Sequence, residues 1–177
     1  MRITKIIFIL LTGLLWSCQN GDESTVSYSD EQTARQIAYL DSTINKWHLD
    51  AANADLESYF SVCSEDFVFL GTDSSERWSK EMFYSFSKPY FDRGKAWAFE
   101  PVARYWNFNQ DHTIAWFDEQ LDTWMKDCRG SGVMEYSVDN GWKLKHYNLS
   151  MTIYNEIVDD VLVLKSSFNQ PDSTIHQ

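Results

Sequence analysis

Apolar residues recur at helical spacing early in the chain and at alternate positions later, which predicts helices followed by strands. Ile37, Leu40, Ile44, Trp47 and Ala51 fall at intervals of three and four, one stripe along a helix of about six turns. Ser29 precedes it as an N-cap, and Gln32 three residues on completes a capping-box pattern. His48 borders the stripe, next to Trp47. Asp55 opens a second, short helix carrying Leu56, Tyr59, Phe60 and Cys63, closed by Ser64-Glu65-Asp66. Residues 67–70 are wholly apolar and predict a buried strand, which delivers the chain to a polar loop at 71–78. Ser79 caps a third helix, with Trp78 and Phe83 placed as a hydrophobic staple, Phe83 and Phe86 facing inward and Pro89 as its stop. Residues 97–108 and 113–124 read as long strands turned at 109–112. Ile157, Val161 and Leu164 have helical spacing, although the β-branched residues around them also allow a strand. The order predicts an α+β layer: a curved antiparallel sheet covered by three N-terminal helices.

Residues 128–152 carry the clearest local signal, two strands joined at Asp139-Asn140-Gly141. A two-residue Asn140-Gly141 turn sets Asp139 opposite Trp142. A bulged turn with Gly141 left-handed sets Val138 opposite Trp142, Tyr136 opposite Leu144 and Met134 opposite His146. A one-residue slip inverts every side chain, so only one register can hold. The bulged form is preferred because it separates apolar from charged residues and sets Glu135 against Lys145. It places Gly130 and Gly132 on the inner face beside His146, Asn148 and Ser150. That predicts either a hollow for a ligand or a strand that uses glycine to bend.

Composition adds a location and removes some partners. Arg2 and Lys5 precede an apolar run at 6–16, too short to span a bilayer. Leu15-Trp16-Ser17-Cys18 resembles the lipobox of bacterial lipoproteins, which makes 1–17 a lipoprotein signal peptide and Cys18 the lipidated N-terminus. An ordinary secretory signal with an incidental cysteine is the alternative. No Asp follows Cys18, so the anchor is expected in the outer membrane, facing the periplasm or the cell surface. Residues 18–29 are expected to be a flexible tether, 30–167 the domain and 168–177 a frayed tail. The formal charge is −11, and losing two cations with residues 1–17 leaves −13. Such a chain is a poor partner for nucleic acid or anionic lipid. Eleven Phe, nine Tyr and eight Trp exceed ordinary core needs and suit a lined cavity or an apolar interface. Cys63 and Cys128 are expected as buried thiols, and no Cys/His spacing suggests a metal.

Two acids carry candidate chemistry. Asp73 lies on the polar loop with Glu76 and Arg77. Pairing within the loop makes it structural, whereas pointing into an apolar cavity would raise its pKa and make it a base. Asp118 and Glu119 face opposite sides of a strand, and Ala115, Phe117 and Leu121 share the parity of Glu119. Glu119 therefore faces inward and needs a partner, with Arg104, His146 and Arg129 as the options. Paired, it is an ion-paired core feature; poorly solvated beside a cavity, it becomes a general acid or base.

The segments GTDSSERW, PYFDRGKAWAF, IAWFDEQLD, CRGSGV and GWKLKHYNLS resemble the SnoaL-like group of the nuclear transport factor 2-like superfamily, over roughly residues 31–155. The resemblance implies a cone-shaped fold with a pocket between the concave sheet and the helices. It also implies homodimers through the outer sheet face, here with Tyr147, Leu149 and Met151. Relatives in that superfamily include ketosteroid isomerase, polyketide cyclases, scytalone dehydratase and limonene epoxide hydrolase. Asp73 falls near the place of the ketosteroid isomerase base, Trp47 near its tyrosine donor, and Asp118-Glu119 near its second acid. Here an indole replaces the phenol, and the loop around Asp73 differs in length. Fold membership alone transmits no activity.

Three functions are consistent with these residues. The first is a tethered module that binds a small apolar or amphipathic ligand, with Trp47, His48, Tyr59, Arg77, Trp78, Tyr90, Arg129 and Asn148 around it. The second is a cofactor-free isomerase, dehydratase or cyclase using Asp73 or Glu119 as base and His146 or Trp47 as donor. The third is a structural domain that only dimerises.

Overall fold

A computed structural model describes residues 28–168; the expected signal peptide, Cys18, residues 18–27 of the tether and the tail beyond 168 lie outside it. The elements are α1 (Asp30–Ala52), α2 (Leu56–Ser61), β1 (Cys63–Leu70), β2 (Arg77–Ser79), α3 (Lys80–Asp92), β3 (Glu100–Phe108), β4 (Ile114–Thr123), β5 (Lys126–Ser137) and β6 (Gly141–Met151). A 3-10 turn, Asn155–Ile157, leads into α4 (Val158–Ser167). The strands form one curved sheet in the order β2-β1-β6-β5-β4-β3, and α1–α3 pack on its concave face. The α+β architecture is as the pattern predicts, with two additions. The short β2 ends the stretch expected to be a polar loop, and β1 runs parallel to β6, so the sheet is mixed.

Local chemistry explains the element ends. Both hydrogen bonds of the Ser29–Gln32 capping box form. The stripe of α1 buries Leu40, Ile44, Trp47 and Ala51, and His48 with them. Ala54, at φ +56°, turns the chain into α2, whose N-cap is the Asp55 carboxylate. Helix α2 stops at Ser61, and Cys63 begins β1 instead of ending the helix. Pro89, expected as the stop of α3, lies inside its last turn, and the helix runs on to Asp92. Phe83 is buried, while Phe86 is 39% exposed.

The β5–β6 hairpin follows neither expected register. Ser137 faces Gly141, which takes φ +65°, and Tyr136 faces Trp142. Lys145 is then an extra residue: Met134 pairs with Leu144, but Val133 pairs with His146. This bulge shifts the rest of β6 by one residue and inverts its faces. Gly130 and Gly132 therefore lie opposite Leu149 and Tyr147. His146, Asn148 and Ser150 sit on the outer face, while Tyr147 and Leu149 are 1% and 5% exposed and take no part in that face. The expected Glu135–Lys145 pair still forms, diagonally, at 3.0 Å.

The glycines make room for side chains, not for a guest. A Cβ on Gly130 would lie 2.1 Å from the Tyr147 hydroxyl oxygen and 2.8 Å from Glu119 Oε1. A Cβ on Gly132 would lie 2.6 Å from the Phe117 ring. Both thiols, Cys63 and Cys128, are buried and unpaired, and burial pushes Cys63 up to about 12.

Candidate functional site

Strand β4 alternates strictly between exposed and buried residues, so Glu119 points inward beside Phe117 and Leu121 and is fully buried. Trp116 and Asp118 point outward, as the parity predicts. Four donors satisfy the Glu119 carboxylate. Oε1 accepts the Tyr147 hydroxyl at 2.6 Å and contacts His48 Nε2 at 2.9 Å. Oε2 accepts Arg104 Nε at 2.9 Å and Nη2 at 2.7 Å. Arg104 Nη1 continues outward to Asp41 Oδ1 at 2.9 Å and Asn45 Oδ1 at 3.0 Å. Trp106 Nε1 also donates to Asp41 Oδ1, at 2.8 Å.

Electrostatics fixes the protonation of this cluster. Burial alone would raise the Glu119 pKa, but the hydrogen bond and charge of His48, the Arg104 guanidinium and the Tyr147 hydroxyl outweigh it and hold Glu119 below the usual carboxylate range. The carboxylate can only accept, so His48 Nε2 carries the proton facing it. Among the described residues, the His48 side chain hydrogen-bonds through Nε2. Tyr147 is pushed well above the usual phenol range, by burial first and then by the Glu119 charge, so its hydroxyl remains a donor.

Above this cluster lies a cavity of about 350 Å3 between the concave sheet and the helices. Trp47 and His48 from α1, with Tyr147 and Leu149 from β6, line its floor. One wall is a set of near-parallel rings: Phe69 and Phe83 stack at 4.0 Å and 9°, with Trp78 17° from Phe83. Tyr59, tilted 57° from Phe83 at 6.2 Å between ring centres, stacks on Trp47 at 4.8 Å and 16°. The more exposed lining residues, Thr72, Phe86, Tyr90 and Trp124, mark the opening. Arg93 sits 4.7 Å over the Tyr90 ring.

Of the residues expected from the sequence, Trp47, His48, Tyr59, Trp78 and Tyr90 line the cavity. Glu119 lies behind it, reaching it through His48 and Tyr147. The others are elsewhere. Asp73 is exposed on its loop, where Ser75 hydrogen bonds hold its pKa down. It caps that loop and does not face a cavity. His146 is on the outer face, lowered by burial and by the Arg77 charge, because the Lys145 bulge turned it away from the interior. Arg77 is exposed beside it. Asn148, also outward, donates to Ser150 Oγ at 3.2 Å. Arg129 lines a separate groove between β3, β5 and the segment after β6. The sequence reading missed Tyr147, Phe69, Phe83 and Trp97 as lining residues. For Phe69 and Phe83 the signal was present as inward strand parity and a helical stripe; Trp97 lies before β3, which begins at Glu100 and not at residue 97, and Tyr147 falls on the wrong face in the expected register. Among the described residues, no three of His, Cys, Asp and Glu gather as metal ligands.

No curated protein matches the chain. Solved structures do match, at identities that speak to fold alone. An NTF2-like protein of unknown function from Pseudomonas putida KT2440 is 11% identical, with a TM-score of 0.57 over 70% of this chain and 91% of that one. An NTF2-like protein from Cytophaga hutchinsonii is 19% identical, with a TM-score of 0.53 over 67% of this chain and 98% of that one. ActVI-ORFA from Streptomyces coelicolor is 10% identical, with a TM-score of 0.52 over 66% of this chain and 96% of that one. The family model described as a SnoaL-like domain matches residues 40–154, well over half of the chain. Together with the curved sheet and its helical cover, this match makes the chain a member of the SnoaL-like domain family, with an NTF2-like fold.

Proposed function

We propose that this domain binds a small apolar or amphipathic molecule in its aromatic cavity, while a lipid on Cys18 holds it at the bacterial outer membrane. The observation that carries the reading is the cavity of about 350 Å3, walled by Trp47, Tyr59, Phe69, Trp78, Phe83 and Trp97. That size is within the range of small-molecule sites, roughly 300–1,000 Å3, and such sites are mostly apolar with a few placed polar groups. Native mass spectrometry of the purified protein tests it, with Leu149→Trp as a plugged control. The reading predicts a small molecule retained by the wild-type chain and absent from the plugged one. Equal occupancy in both, or failure of the wild-type chain to take up any apolar probe, would refute it.

A second reading is favoured by one observation, the His48–Glu119 contact at 2.9 Å beneath the cavity. A carboxylate that holds Nε2–H leaves Nδ1 as the basic nitrogen, the arrangement of an oriented general base. A cofactor-free isomerase, dehydratase or cyclase would then use His48 to take a proton from the guest, with the Glu119 carboxylate stabilising the imidazolium and Arg104 holding that carboxylate in place. Glu119 itself is saturated with donors and Asp73 is remote, so neither is the base in this reading. A His48→Asn variant that retains the guest but loses its conversion selects the enzyme; unchanged conversion removes this reading. Association of two copies through the outer sheet face, where Trp116 and Tyr105 are 44% and 61% exposed, is a companion proposal that sedimentation tests.

A further inference from the structure

Tyr28, just before α1, is clasped to the turn between β3 and β4. Its ring stacks on His112 at 3.8 Å and 6°, and Phe108 also stacks on His112, at 4.5 Å and 9°. The Tyr28 hydroxyl donates to the Asp111 carbonyl at 3.0 Å. Gln36 of α1 holds the same turn, donating to the His112 carbonyl at 3.3 Å and meeting His112 Nδ1 at 2.8 Å. The chain that leads back to Cys18 therefore leaves the domain at this turn. The cavity opens at the other end. Strand β4 runs from Ile114, beside the clasp, to Thr123, and Trp124 at the opening follows. Its ten residues span about 33 Å. Helix α1 runs the same way, from Gln36 at the clasp to Trp47 and His48 on the cavity floor.

We infer that the domain stands on the membrane by its β3–β4 end, with the mouth of the cavity turned away from the bilayer and open to water. This rests on the lipid anchor proposed above for Cys18. Tyr28 is ten residues after Cys18, and ten residues reach at most about 33–36 Å when fully extended. A mouth laid against lipid would need all of that reach, drawn straight back along the side of the domain. Straightening a chain loses conformational entropy at every residue. The β3–β4 end meets the surface without that loss. Trp124, 79% exposed at the mouth, is the kind of residue that sits at a lipid interface, but the short tether keeps it from this one. The guest therefore arrives through water. That narrows the ligand class to amphipathic molecules that dissolve, and removes lipids lifted from the anchoring membrane.

The test uses the lipidated full-length protein on phosphatidylcholine vesicles in which some headgroups carry a nitroxide quencher. A fluorescent dye is attached through Lys126→Cys, at the mouth end of β5, or through Asp139→Cys, in the turn at its other end. Both positions are exposed, and the native thiols Cys63 and Cys128 are buried away from the dye. The dye at 139 should lose most of its fluorescence, and the dye at 126 should keep it. Doubling the tether with Gly and Ser residues after Asn20 should remove that difference. A dye at 126 quenched as strongly as the dye at 139, or more so, overturns the inference and leaves the anchor standing. A difference that survives the doubled tether also overturns it, because something other than reach then sets the orientation. Protein left in solution when the vesicles are sedimented overturns the anchor and this inference with it.

Discussion

Replacing Gly130 with alanine should break the polar cluster from the sheet side. The new methyl would lie 2.1 Å from the Tyr147 hydroxyl oxygen and 2.8 Å from Glu119 Oε1. Tyr147 is 1% exposed and wedged against Trp47, so it cannot swing aside. Overpacking of this kind costs about 1–3 kcal/mol. Losing the hydroxyl's bond to a carboxylate adds about 1.5–3 kcal/mol. The lower chain entropy of unfolded alanine returns about 0.4–1 kcal/mol. The net expectation is a loss of about 2–5 kcal/mol, read from the midpoint of urea unfolding at constant m. Tyr147→Phe removes the same bond without the worst clash, so the double variant should cost less than the two single ones summed, by at least about 1 kcal/mol. A Gly130→Ala variant within about 0.5 kcal/mol of wild type, or simple additivity in the double variant, would refute this account of the glycine.

Other consequences are direct. Arg104→Met should leave Glu119 buried without its cation and cost about 3–5 kcal/mol in the same assay, much more than a surface pair. Because Glu119 titrates below its usual range, its ionised form stabilises the fold above about pH 4.3, and that stabilisation is lost as pH falls through the lowered folded-state value. The stability gap between wild type and Glu119→Gln should therefore be widest near neutrality and close in acid; a gap that widens in acid would contradict the sign. By NMR, His146 should titrate below about 6.5, and removing the neighbouring charge with Arg77→Gln should raise its midpoint.

The sequence made the helices and the inward Glu119 legible because each rests on a short, repeated pattern. The α1 stripe, its capping box and the strict alternation of β4 are local, and local signals survive folding. The registers of β5 and β6 were not legible in the same way. One extra residue at Lys145 exchanges the faces of everything after it, and nothing around Lys145 marks a bulge. That single shift moved His146 and Asn148 out of the candidate site and brought Tyr147 in. His48 was visible only as a polar residue beside an apolar stripe. Its partner lies 71 positions away on β4, a contact that only the folded sheet creates. The parallel pairing of β1 with β6 was hidden for the same reason.

The central claim is that a guest lies between the aromatic walls and not on the outer sheet face. NMR spectra of the tryptophan indole N–H signals during a titration with 2-acetylnaphthalene read both places at once. The account predicts that the signals of Trp47, Trp78 and Trp97 move, while that of Trp116 on the outer face stays still. Movement of Trp116 alone, or no movement at saturating probe, would contradict it.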